Sequence, residues 1–142
     1  MLKGIPKNIS PELLKVLDEM GHGDEIVISD GNFPSENLHD KVIRCDSSDV
    51  PNLLESILKI FPLDYKFSEE QVFLMAVGEG VDYDPVIWDE YKKILDDSDE
   101  EYKIAHLERF DFYDRAKEAY AVIHTGETAL YANIILKKGV VE

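Results

Sequence analysis

The stretch that most constrains this chain is QVFLMAV, residues 71–77, continuously apolar after Gln71 and bounded by Gly78 and Gly80. A strand with one wet face alternates apolar and polar residues, whereas this one offers nothing to water on either side. It predicts a central strand covered on both faces. A second run, EIVIS at 25–29, is short and rich in β-branched residues and is closed by Asp30-Gly31. It also reads as a buried strand.

Segments with helical spacing fall between and around these runs. Ser10 and Pro11 precede ELLKVLDEM, where Leu13, Leu14, Leu17 and Met20 share a face and Gly21 follows the end. That is a cap, a proline in the first turn and a glycine stop in the expected order. In SSDVPNLLESILKIFP the spacing of Leu53, Leu54, Ile57, Leu58 and Phe61 predicts a second helix, ended by Pro62. Asp84-Pro85 predicts the cap of a third, which carries Trp88, Tyr91, Ile94 and Leu95. After the acidic loop come a predicted strand over 103–107, a helix over 110–119, and strands over 121–124 and 134–136. Helices and strands alternate almost throughout, so the expectation is an α/β domain with helices on both faces of the sheet. With no repeat, linker or break in composition, residues 1–142 read as a single domain.

Charge narrows the class of partner. Fifteen basic residues against thirty acidic ones give a net charge of −15, with no basic stripe to offset it, so nucleic acid is not an expected partner. No charged segment followed by an apolar core opens the chain, and no run approaches the roughly 18–20 apolar residues of a membrane span. A soluble cytoplasmic protein is expected. The single cysteine, Cys45, has no partner for an internal disulfide. The acidic run DDSDEE at 96–101 lacks the glycine and terminal glutamate of a calcium loop and reads as solvated surface.

Several residues are candidates for chemistry. His22 stands between two glycines just beyond the first helix, free to reach outward, and histidine titrates close to neutrality. The alternative for it is a helix-capping turn. Asp30 follows a buried strand, at the end where open α/β sheets bind ligands, and is alternatively the start of an Asx turn. Asn32, Phe33 and Pro34 would wall a pocket beside it. Asp64 lies in the turn FPLD and by itself reads as a cap or surface acid. Arg109 and Tyr113, four apart, share a helix face and suit hydroxyl groups, or else a salt bridge and a core tyrosine. Tyr131 and Asn133 are expected on alternate positions entering a strand, with both side chains to one side. His39, His106 and His124 have no histidine at helical spacing, so no metal is expected. The glycine patterns GHG and GEG match neither a phosphate loop nor a dinucleotide fingerprint, so no nucleotide cofactor is expected either.

Taken together, LKGIPKNISPELLKVLDEMGHGDEIVISDGNFP, FPLD, ERFDFYDRAKEAYAV and TGETALYANIILKKG resemble the fucose mutarotase and ribose pyranase family, on its fucose side, in order and over nearly the whole chain. The resemblance implies a three-layer α/β/α sandwich around a central mixed sheet. It implies a cofactor-free interconversion of the α and β anomers of L-fucose, in a homo-oligomer, a ring-shaped homodecamer in bacterial relatives, whose site lies near a subunit boundary. It further implies His22 and Tyr113 as catalytic groups and Asp30, Asp64, Arg109, Tyr131 and Asn133 as sugar contacts. Ala132, between Tyr131 and Asn133, stands where fucose-type relatives have glycine, and ribose ring exchange or non-catalytic sugar binding are the alternative readings. On this reading the strand 25–29 brings Asp30 to the same rim as His22, where its carboxylate orients the imidazole or holds a hydroxyl.

Overall fold

A computed structural model describes all of Met1–Glu142. In chain order its elements are α1 (Pro11–Glu19), β1 (Glu25–Ser29), α2 (Ser35–Leu38), β2 (Val42–Cys45), α3 (Val50–Leu58), β3 (Val72–Met75), α4 (Ile87–Asp97), β4 (Ile104–Leu107), α5 (Arg109–Glu118), β5 (Ala121–Thr125) and β6 (Ile134–Lys137). The six strands form one sheet in the order β2-β5-β1-β6-β3-β4. Strand β1 is parallel to β5, β5 to β2, and β3 to β4, while β6 runs antiparallel to both of its neighbours, β1 and β3. Five strands therefore point one way, and β6 alone points back.

The two apolar runs take the places their composition requires. Every residue of β3 is buried, as are Ile26, Val27 and Ile28 of β1. Side chains alternate across the sheet. Ile26, Ile28, Leu74, Ile123 and Leu136 face a core shared with α1, α3 and α4, and Val27, Phe73, Val122 and Ile135 face a smaller one shared with Phe112 and Ala116 of α5. The result is the expected three-layer arrangement around a mixed sheet. At about 25 cal/mol per Å² of apolar surface, covering both faces is what holds the continuous apolar strands in the centre. No helix is long and apolar enough to cross a membrane.

The helix signals held where a side chain could cap. Ser10 accepts from the amide of Leu13 at 3.1 Å and Asp49 from that of Asn52 at 2.8 Å, each with proline in the first turn that follows. Elsewhere the boundaries shift. Helix α3 stops at Leu58, with Phe61 buried in the turn beyond, and α4 begins at Ile87, after a Val86 cap that offers no side-chain bond, so Asp84 is not the cap. The short α2 and the edge strand β2 had no expectation at all: four residues each are too few to show a period.

The loop after β5 is pressed against the end of β2. A Cβ built on Gly126 would meet the Asp46 carbonyl oxygen at 2.2 Å, a backbone atom that cannot rotate away. Gly126→Ala is expected to lower stability by about 1–3 kcal/mol in urea denaturation, as overpacking does; an unchanged midpoint would show that these two loops are free to part.

Candidate active site

Sheet direction decides which candidate residues can meet. At the carboxyl edge of β1–β5 emerge Asp30 after β1, Arg109 after β4 and the lead into β6, which carries Tyr131 and Asn133. At the opposite edge lie His22 before β1 and Asp64, whose amide donates to the Lys137 carbonyl at the end of β6, 3.1 Å. A five-residue strand at roughly 3.3 Å per residue separates these edges by about 13 Å. Strand β1 thus places Asp30 far from His22 within one chain, contrary to the expected shared rim.

The carboxylate beside His22 is instead that of Asp64. His22 Nε2 lies 2.8 Å from Asp64 Oδ1, with the imidazole half exposed and the carboxylate almost wholly buried. A carboxylate only accepts, so the proton sits on Nε2 and the second nitrogen, Nδ1, is left to exchange protons. Asp64 is no surface acid: Lys137 holds its amide, and the Ser68 hydroxyl (2.8 Å) and the Gln71 amide (3.3 Å) donate to its carbonyl. The ring of Phe67, which sequence reasoning passed over, stands edge-on to His22 with centroids 5.1 Å apart. Its only signal is an aromatic residue shortly after FPLD. The turn at His22 is not a Schellman cap; Met20 ends α1 in extended conformation, and Gly23 takes the positive φ of 86°.

At the carboxyl edge the remaining candidates do assemble. Asp30 is buried, its amide donates to Asn133 Oδ1 at 2.8 Å, and its Oδ1 accepts from the amide of Asn32 at 2.9 Å. The carboxylate thus starts an Asx turn and still has Oδ2 to offer, while Asn133 keeps its Nδ2 hydrogens. Phe33 links this turn to α5, its ring 5.5 Å from that of Tyr113. Arg109 Nε donates to the Tyr113 oxygen at 3.3 Å, confirming the shared helix face and leaving the phenolic proton free to point elsewhere.

The expectation for Tyr131 and Asn133 holds for the side they share and not for the backbone that carries them. Strand β6 starts only at Ile134, and Tyr131 has φ 58°, the only non-glycine residue at positive φ. The alternation nevertheless survives: Ala132, Ile134 and Leu136 face the larger core, while Tyr131 and Ile135 pack on the smaller one, the side on which Asn133 falls between them. The left-handed conformation costs about 1–2 kcal/mol and is held by flanking bonds: Trp88 Nε1 donates to the Tyr131 carbonyl (2.8 Å) and the Tyr91 hydroxyl to that of Ala132 (2.6 Å). Burial pushes the Tyr91 phenol well above its ordinary pKa, and the charges of Glu127 and Asp30 add to this, so it stays a donor.

No three His, Cys, Asp or Glu side chains are grouped to hold a metal ion. A concavity of about 610 Å³ between α3 and α4, lined mostly by charged residues such as Glu55, Lys59 and Lys93, shares no residue with either edge of the site.

The model of the RbsD / FucU transport protein family matches residues 3–141, so the chain belongs to that family. It is 48% identical over 141 residues to the L-fucose mutarotase of Histophilus somni, covering 99% of this chain and 97% of that one. Identity to the fucose mutarotase of Mus musculus is 48% over 146 residues, covering 99% and 95%. Among solved structures, the fucose mutarotase of Streptococcus pneumoniae in complex with L-fucose superposes with a TM-score of 0.94 at 53% identity, covering 99% of this chain and 100% of that one.

Burial raises the pKa of Asp30 above the ordinary carboxylate value, against the lowering effect of the Asn32 and Phe33 amides. The folded chain therefore holds a proton that the unfolded chain has released, and stability falls as pH rises through that window. Asp30→Asn keeps the acceptor for Asn32 without the charge. Its melting temperature is expected to exceed that of the wild type at pH 7, with the gap closing towards pH 3, where both states are protonated; a lower value at pH 7 in calorimetric scans would contradict this.

Proposed function

We propose that residues 1–142 form a single domain that interconverts the α and β anomers of L-fucose by opening and reclosing the sugar ring. The observation that carries this reading is the identity of about half of all residues, over 99% of the chain, to proteins named for that activity, one of them solved with L-fucose. Anomer exchange needs a proton delivered to the ring oxygen and one removed from the anomeric hydroxyl. The open aldehyde then turns about C1–C2, and the ring closes on the other face.

His22 and Tyr113 are the proposed proton-transfer groups. With Nε2 fixed on Asp64, His22 Nδ1 is the atom that takes or gives a proton, and Asp64 serves chiefly to hold the imidazole. The Tyr113 hydroxyl, its oxygen accepting from Arg109, supplies a donor on the other side. A positioned acid and base each contribute about 10² to 10⁴ in rate. Asp30 Oδ2, Asn133 Nδ2, the free guanidinium nitrogens of Arg109 and the Tyr131 phenol are the proposed partners of the sugar hydroxyls.

These groups lie at opposite edges of one protomer, so the complete site requires a second copy: His22 and Asp64 of one chain facing Asp30, Tyr113 and Asn133 of the next. Two different edges meeting in this way make a head-to-tail contact, which gives a ring when the rotation between copies closes. A homodecamer built from such rings, in the cytoplasm, is the assembly proposed from the family resemblance.

Saturation-transfer proton NMR at anomeric equilibrium tests the reading. Faster exchange between the α and β signals of L-fucose is expected with the protein, and His22→Ala is expected to lower that acceleration about a hundredfold or more while leaving the fold intact. Acceleration of ring exchange for D-ribose alone, or a loss below tenfold in His22→Ala, would overturn it.

A further inference from the structure

The loop that carries Asp30, Asn32 and Phe33 leaves β1 at Ser29 and enters α2 at Ser35, and both serines are buried. Their hydroxyl oxygens lie 3.2 Å apart, closing the loop like a clasp. Across the sheet from Ser29, His124 of β5 is its register partner, and His124 Nδ1 reaches Ser35 Oγ at 2.7 Å and Ser29 Oγ at 3.4 Å. None of these three residues has a part in the proton transfer described above.

Counting protons gives this cluster a direction. The Asp30 carbonyl can only accept, and Ser29 Oγ is its donor at 3.2 Å, which spends the one Ser29 proton. Ser29 Oγ must then accept from Ser35, which spends the Ser35 proton, so Ser35 Oγ in turn accepts from His124. The bonds run one way, from His124 Nδ1–H through two hydroxyls to the backbone of Asp30. Thr125 fixes the root of the same loop by donating to the Ser29 carbonyl at 2.7 Å, and the Glu127 carbonyl accepts from the Gly31 amide at 2.9 Å.

We infer that His124 is a positioning residue for sugar binding, its Nδ1–H anchoring a Ser35–Ser29 clasp that holds the Asp30–Phe33 turn in the conformation the site requires. This rests on the proposal that Asp30 holds a sugar hydroxyl. A polar chain in a buried position has a simpler apolar substitute. Valine or isoleucine would fill the end of β5 at less cost than a histidine that must find partners, as the other inward residues of β5 do. The clasp spends that cost at both ends of one functional loop.

The test compares His124→Leu, which fills the space without a donor, His124→Asn, whose Nδ2 stands where Nδ1 does, and Ser35→Ala. For each, KM and kcat for L-fucose exchange are measured, together with hydrogen exchange of the Gly31 and Asn32 amides in sugar-free protein. His124→Leu and Ser35→Ala are expected to raise KM about fivefold or more with kcat changed less than threefold, and to speed amide exchange, while His124→Asn stays near wild type. Equal losses in His124→Leu and His124→Asn would overturn the inference, since that is the mark of packing alone. Faster amide exchange with an unchanged KM would also overturn it. Asp30→Ala separates the two levels: if it too leaves KM unchanged, the fault lies in the sugar-binding assignment of Asp30, and if it raises KM, the fault lies in the clasp. Should His124→Leu fail to fold, Ser35→Ala, which removes a single oxygen, decides the matter by the same readings.

Discussion

Strand β6 is the piece on which both ends of the candidate site are mounted. Because it alone runs antiparallel, its entry lies at the carboxyl edge of the other five strands and its exit at their amino edge. At the entry, Asn133 holds the Asp30 amide. At the exit, the carbonyls of Lys137 and Lys138 hold the amides of Asp64 and Gly23, on either side of His22. One strand of four residues, buried at three of them, thereby fixes the separation between a histidine–carboxylate pair and a carboxylate–amide pair. Neither pair can drift toward the other without breaking the sheet.

That separation explains features that stability alone does not. Two carboxylates, Asp30 and Asp64, are buried at opposite edges, where an apolar residue would cost less to desolvate, and each is held by bonds that leave a defined neighbour ready to act. Tyr131 sits in a strained left-handed conformation that Trp88 and Tyr91 lock from the third layer. Local departures of this kind, maintained by well-packed surroundings, are what a functional rim produces. They make the proposed assembly of two edges from neighbouring copies a consequence of sheet direction, with no bending of the chain.

Much of the fold was legible because its signals are local. The apolar run 71–77 demanded cover on both faces, Ser10-Pro11 marked a helix start that the structure keeps, and the spacing from Leu53 to Leu58 marked the body of another. Short elements were not legible: α2 and β2 have too few residues for a period. The candidate residues could be picked out one by one, but not their grouping in space. Asp30 was recognised by its place after a strand, and Arg109 with Tyr113 by helical spacing, and both relations hold in space. The pairing of His22 with Asp64, 42 residues apart, has no local signal, because it depends on β6 returning between β1 and β3. The conformation of Tyr131 escaped for a related reason, since only tertiary bonds hold a non-glycine residue there.

The most direct measurement mixes two impaired chains. His22→Ala, which lacks the proton-transfer group, and Asp30→Ala, which lacks a sugar contact and is assayed with L-fucose well below its raised KM, are co-expressed with different tags, and oligomers containing both are isolated and assayed. If every site joins the His22 edge of one copy to the Asp30 edge of the next, random mixing leaves about a quarter of the sites intact, and about a quarter of wild-type exchange should return. Mixed oligomers no more active than either parent would contradict a site shared between copies.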